Sequence, residues 1–203
     1  MNITKQTTTI YKDAEMGFVY NFAPIADSLS IKKTKIGYEV RYLTLDSDSE
    51  SPEKWEDTNL FLVHYHRDFW IENKNIISKD DVRAWYQGES IPQQKDYFVF
   101  ALSAYIHGGV ALSLNESFAC DTCGWDTSHV GVVLVSKEEF KTKGKAVKMA
   151  QGLIEEWNQY LSGDVYGVVI EKYDNEKNPV DSYSCWGFYG YDYALQELQK
   201  RTF

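Results

Sequence analysis

Hydrophobic and polar positions change rhythm along this chain, and each rhythm predicts an element. Residues 36–45, IGYEVRYLTL, alternate, with Ile36, Tyr38, Val40 and Tyr42 on one side and Glu39 and Arg41 on the other. That is the pattern of a half-buried strand. Phe18, Tyr20 and Phe22 alternate more briefly up to Pro24 and predict a short strand. Residues 60–66, LFLVHYH, read as another strand. The densest stretch is 97–135. Two apolar runs flank Gly108 and Gly109, a polar turn carries Cys120, Cys123, Trp125 and Asp126, and a third apolar run covers 130–135. It predicts three strands joined by tight connections. Val165 to Tyr173 and Val180 to Tyr189, separated by the turn residues 174–178, predict a hairpin.

A period near 3.6 appears in three places. Ser78 is placed to cap a short helix over about 79–87, with Asp80 and Asp81 in its positive first turn and Val82, Trp85 and Tyr86 as its apolar stripe. Ala146, Met149, Ala150, Leu153, Trp157 and Tyr160 predict a long amphipathic helix over about 145–161. Ala194, Leu195 and Leu198 predict a last short helix over about 192–201. The sequence Ser136-Lys-Glu-Glu139 fits a capping box. Together these elements predict an α+β fold with a mostly antiparallel sheet. The length fits a single domain over 1–203, or one domain with an insertion, and the acidic window 46–57 predicts a mobile loop.

Composition narrows the function. Thirty acids against 21 bases leave a net charge of −9. That field repels a phosphate backbone and attracts a basic partner, and no polybasic tract argues for direct nucleic-acid binding. No run approaches the 18 apolar residues of a membrane helix, so no membrane partner is expected. The first residues lack the charged-then-apolar design of a signal peptide, and three cysteines are an odd number. Both features point to a reduced, cytoplasmic setting. Six Trp, fifteen Tyr and ten Phe supply side chains suited to half-buried faces and contact surfaces.

Several residues carry candidate chemistry. His64-x-His66 sets two imidazoles on one face of a strand, followed by Arg67. A metal would need further ligands, from His107, Cys123 or Asp126; otherwise the pair are hydrogen-bonded residues of a polar strand face. No metal or cofactor is expected, because Cys120-x-x-Cys123 lacks the second pair of a zinc ribbon and only Cys185 remains. Asp126 is either a general base beside His129 or the residue that closes a turn. If the protein is an enzyme, its site gathers His66, Arg67, His107, Cys123, Asp126 and Cys185. If it is a binding protein, Trp125, Trp186 and Tyr189 are its anchors.

The windows His66-Arg67, Tyr105-Ile-His107-Gly108, Cys123-Gly-Trp-Asp126 with Gly131, Val135-Ser-Lys-Glu138, Tyr160 to Gly167, and Asp181 with Cys185 to Gly190 occur in a characteristic order. Over roughly residues 60–190 the chain resembles a family of small proteins carried by bacteriophages and mobile elements, mostly of Gram-positive bacteria. Cys120 and the His64-x-His66 pair lie outside that pattern. The resemblance implies a genomic setting rather than a reaction. By analogy, a small acidic protein in that setting binds a host protein, such as a defence or nucleic-acid-processing factor, and modulates it. The alternative is a small hydrolase or nucleotide-processing enzyme built on the His, Asp and Cys residues above.

Overall fold

The protein is α+β, with mostly antiparallel sheets. The structure, a computed structural model, describes residues 9–12, 18, 21–22, 25–54, 59–67, 76–114, 118–121 and 123–202. In chain order the elements are β1 (Thr9–Lys12), β2 (Ser28–Lys33), β3 (Tyr38–Leu45), β4 (Leu60–His64), α1 (Lys79–Tyr86), β5 (Tyr97–Ile106), β6 (Val110–Leu114), β7 (Thr127–Ser136), α2 (Lys143–Leu161), β8 (Val165–Tyr173), β9 (Pro179–Tyr189) and α3 (Tyr191–Lys200). The sequence was read as one domain, or one with an insertion. The chain divides into two compact units, residues 1–50 with 163–203, and residues 51–162. Among the described residues no helix is long and apolar enough to cross a membrane.

The first unit holds a sheet of order β1-β2-β3-β8-β9, in which only β1 and β2 run parallel. One face packs on α3 through Leu43, Tyr166, Val168, Ile170, Ala194 and Leu198. The side chain of Arg41 on that face donates to the Leu198 and Arg201 carbonyls at 3.1 and 2.8 Å. It thereby satisfies acceptors that a helix C-terminus leaves without intrahelical partners. On the opposite face, Phe18 and Phe22 pack over Tyr38, Tyr42 and Tyr173 with ring centroids 5.1–5.9 Å apart. These two phenylalanines were expected on a strand. Phe18 is instead helical and Phe22 lies in a turn, its carbonyl accepting from Ile25 and Ala26. A spacing of four puts both rings on one side of a helical turn as well as of a strand, so the pattern alone does not separate the two.

The second unit holds a sheet of order β4-β7-β5-β6 with a helix on each face. Val130, Val133 and Val135 meet α2, while Val132 and Leu134 meet α1, so β7 is covered on both sides. That explains why 130–135 is a continuous apolar run rather than an alternation. On α2 the buried residues are Ala146, Ala150, Ile154 and Trp157, with Met149 exposed. Against the predicted stripe, Ile154 takes the buried place and Met149 turns outward, while Leu153 and Tyr160 are half-buried at its edge. Thr142 caps this helix, its hydroxyl accepting from the Lys145 amide at 3.4 Å. The expected capping box at Ser136 is instead a turn in which the Ser136 hydroxyl accepts from Glu138. Helix α1 does carry a capping box, between Ser78 and Asp81. Asn158 of α2 exchanges two hydrogen bonds with the Leu112 backbone on edge strand β6, at 2.7 and 2.9 Å, so an amide side chain stands in for a neighbouring strand.

The acidic window is partly tied down. The Asp46 carboxylate accepts from the Asp48 and Gly187 amides, and 52–54 form a 3-10 turn; residues 55–58 lie outside the described ones.

Gly131 is where β4 closes on β7. A Cβ there would stand 1.9 Å from the Val63 carbonyl oxygen, whereas one at Gly152 in α2 would meet nothing. We expect Gly131→Ala to lose about 3 kcal/mol, because backbone must shift. Gly152→Ala should gain about 0.5–1 kcal/mol through the unfolded chain and helix propensity. Urea midpoints of the two variants check the contrast. Equal effects would mean that β4 is not seated on β7 as described.

Candidate functional site

Three connections of the second unit meet at one end of its sheet. β4 ends there, β5 turns into β6, and the loop before β7 arrives. The geometry of that loop comes from Asp121. Its carboxylate accepts from the Trp125 amide at 3.1 Å and the Asp126 amide at 3.0 Å. The Thr127 side chain beside it, with these two amides, holds the Asp121 carboxyl below its ordinary value. The clamp presents Trp125 with 90% of its surface exposed. The Ile106 amide donates to the Asp126 carbonyl at 2.9 Å, and this seats the turn against β5.

That seating brings His107 and Asp126 together, with Nδ1 3.1 Å from Oδ2 and side chains 71% and 42% exposed. The Tyr105 ring stacks on His107 at 6.2 Å and lies 5.5 Å from Phe118. Partial burial, followed by the charges of Cys120 and Asp126, pushes the Tyr105 phenol up. Cys120 and Cys123 are both exposed and unbridged. A carboxylate that orients an imidazole is the geometry of a general base. Here the pair stands in open solvent.

A second cluster lines a cavity of about 210 Å³, walled by Tyr65, His66, Lys79, Arg83, Tyr86 and His129. Ser103 Oγ lies 3.1 Å from His129 Nδ1, and the Tyr86 ring covers the imidazole at 5.0 Å. Ser103 is buried, so it orients the ring and is not a nucleophile open to substrate. The Tyr86 hydroxyl donates to the Gly131 carbonyl at 2.7 Å, beside the bulge where β7 and β5 shift register. Burial pushes that phenol up to about 12.

The candidate residues fall into separate places. His107 and Asp126 form the pair just described, and Cys123 lies exposed on the loop. His66 lines the second cavity, and Arg67, exposed, follows it at a bend. Cys185 belongs to the first unit, packed beside the α3 core. The two histidines of His64-x-His66 do not share a strand face. The β4–β7 ladder ends at His64 opposite Gly131, next to the bulge, and buried His64 accepts from the His66 amide through Nδ1. Of the expected anchors, Trp125 is exposed and Trp186 is 51% exposed, while Tyr189 is buried, its hydroxyl donating to the Glu50 carbonyl.

The sequence reading passed over a group in the first unit, Glu171 with Tyr42, Tyr173 and Ile25. The Tyr173 hydroxyl donates to Glu171 Oε2 at 2.8 Å, and the Tyr42 phenol lies within the electrostatic reach of this carboxylate. Burial and this carboxylate push the Tyr42 phenol up to about 12 and raise that of Tyr173. Tyr42 and Glu171 meet only because β3 pairs with β8, and no local motif joins them. Comparison with known proteins finds no matching family model, no matching curated protein and no matching solved structure.

The Asp121 clamp predicts a pH signature. A carboxyl depressed by folding contributes stability above its ordinary value of 3.8, and that contribution disappears as the pH falls through the depressed value. The gap in urea midpoint between the native chain and Asp121→Asn should therefore be constant near neutrality and close in acid, below 3.8. A gap that persists undiminished at low pH would show that the charge of Asp121 does not hold the turn.

Proposed function

We propose that the protein works by binding, and that its partner is a basic protein, in the setting of a phage or mobile element a host factor concerned with defence or nucleic acids. Trp125 carries this reading. A large aromatic side chain, 90% exposed, rides on a turn that Asp121 holds rigid, so it loses little conformational entropy when a partner covers it. The net charge of −9 adds long-range attraction for a basic surface and discourages direct contact with nucleic acid.

A second reading, a small hydrolase or nucleotide-processing enzyme, has the His107–Asp126 pair in its favour. Two substitutions separate the readings. Trp125→Ala should weaken capture of the partner at least about tenfold in a quantitative pull-down, the loss expected of an aromatic anchor. Its melting temperature should stay unchanged, because the side chain packs on little. Asp126→Asn should leave capture intact. A folded Asp126→Asn chain that has lost its biological effect, beside a fully competent Trp125→Ala, would transfer the assignment to the enzyme.

A further inference from the structure

The face of the first unit's sheet opposite α3 is covered at one end by Phe18 and Phe22 and is hollow beside them. Two adjoining hollows, of about 520 and about 350 Å³, share Ile25, Tyr42 and Glu171. Lys177 lines the wider one. Among the described residues no basic side chain lines the narrower one, whose wall runs from Tyr42 and Thr44 past Glu171 to Ser184 and Trp186.

Glu171 stands where both hollows meet. Its phenolic partner Tyr173 is a neutral donor, so it orients the carboxylate without cancelling its charge. Among the described residues no Lys, Arg or His nitrogen lies within ion-pair distance of it. A half-buried carboxylate among aromatic rings favours a cation beside it. Trp186 supplies the second half of such a site. Gly167 has no side chain, and a Cβ there would meet three atoms of the indole six-membered ring at 2.4–2.8 Å. The ring therefore lies flat on the Gly167 backbone. With 51% of the residue exposed, its other face is open to the hollow. Ile25, also exposed, offers an apolar edge.

We propose that the narrower hollow receives a primary ammonium group, the lysine side chain of the partner protein, with its alkyl stem along Trp186 and Ile25 and its ammonium on Glu171. A cation over an indole face and an alkyl stem on apolar surface are both favourable, and the ammonium completes the hydrogen bonding of the carboxylate. Lysine fits better than arginine because Tyr173 already occupies Oε2. A guanidinium fork asks for both oxygens, whereas an ammonium is a point charge that needs one free acceptor site. The site rests on the partner-binding reading for the source of the lysine, but its chemistry is testable without the partner.

The probe is N-acetyl-lysinamide titrated into the full, isotope-labelled chain, followed by amide and indole NMR signals. Saturable shifts are expected at the Trp186 indole and at the Thr44 and Gly167 amides. N-acetyl-norleucinamide, which keeps the stem and lacks the charge, and N-acetyl-argininamide should both bind more weakly. Glu171→Gln should weaken the lysine probe about tenfold, the cost of losing one charge-assisted hydrogen bond. Should Glu171→Gln not fold, Ser184→Lys replaces it. Ser184 is exposed at the hollow, so its new ammonium should block the probe while the chain stays folded. Absence of saturable shifts, an equal response to either control probe, or full binding by the folded variants would overturn the site. A silent probe alongside intact partner capture would remove this hollow and leave the binding reading standing.

Discussion

Burial of single strands on both faces is the constraint on which the rest depends. In the second unit Val130 to Val135 are covered by α2 on one side and α1 on the other. Strands with no solvent face hold their neighbours by apolar contact as well as by ladder hydrogen bonds. Gly131 follows from this closeness, because β4 approaches β7 where any side chain would strike the Val63 carbonyl.

Cores covered on both sides must satisfy most of the polar groups they enclose, and among the described residues Gln93 Oε1 and Thr127 Oγ1 are the side-chain exceptions. Three long side chains do this. Arg41 reaches the carbonyls at the end of α3, Asn158 completes the edge of β6, and Tyr86 fills the acceptor at the bulge of β7. The bulge also decides chemistry. It ends the β4 ladder at His64, turns His66 toward the cavity it shares with His129, and leaves Ser103 to orient that histidine. Groups of catalytic type are thereby spread over the loops at the sheet end, and Trp125 stands exposed on its clamped turn.

The first unit shows the opposite economy of cover. One face of its sheet is sealed by α3, and among the described residues the other is covered by Phe18 and Phe22. The hollow beside them holds a carboxylate bound by Tyr173 and a tryptophan laid on a glycine. In a chain of net charge −9 such a surface suits the basic partner proposed above, and the aromatic residues would give the attraction a shape.

Local patterning was enough for most elements. The alternation of 36–45, the apolar run 130–135, the 3.6-residue period after Gly144 and the turn residues 174–178 each mark an element within a few residues of its observed ends. The acidic balance and exposed-aromatic candidates such as Trp125 were equally legible, since both follow from residue type. Patterning failed where a segment is positioned by distant partners. Phe18 and Phe22 look like strand and are not, Ser136 looks like a helix cap and closes a turn, and β2 carries no alternation strong enough to announce it. The sites depended on tertiary pairing altogether. His107 finds Asp126 through the seating of a turn on β5, and Glu171 finds Tyr42 across the β3–β8 ladder. The physical reason is range: periodicity reports which side of one segment is buried, whereas a site is made by strand register between segments far apart in the chain, and register is chosen by packing the whole core.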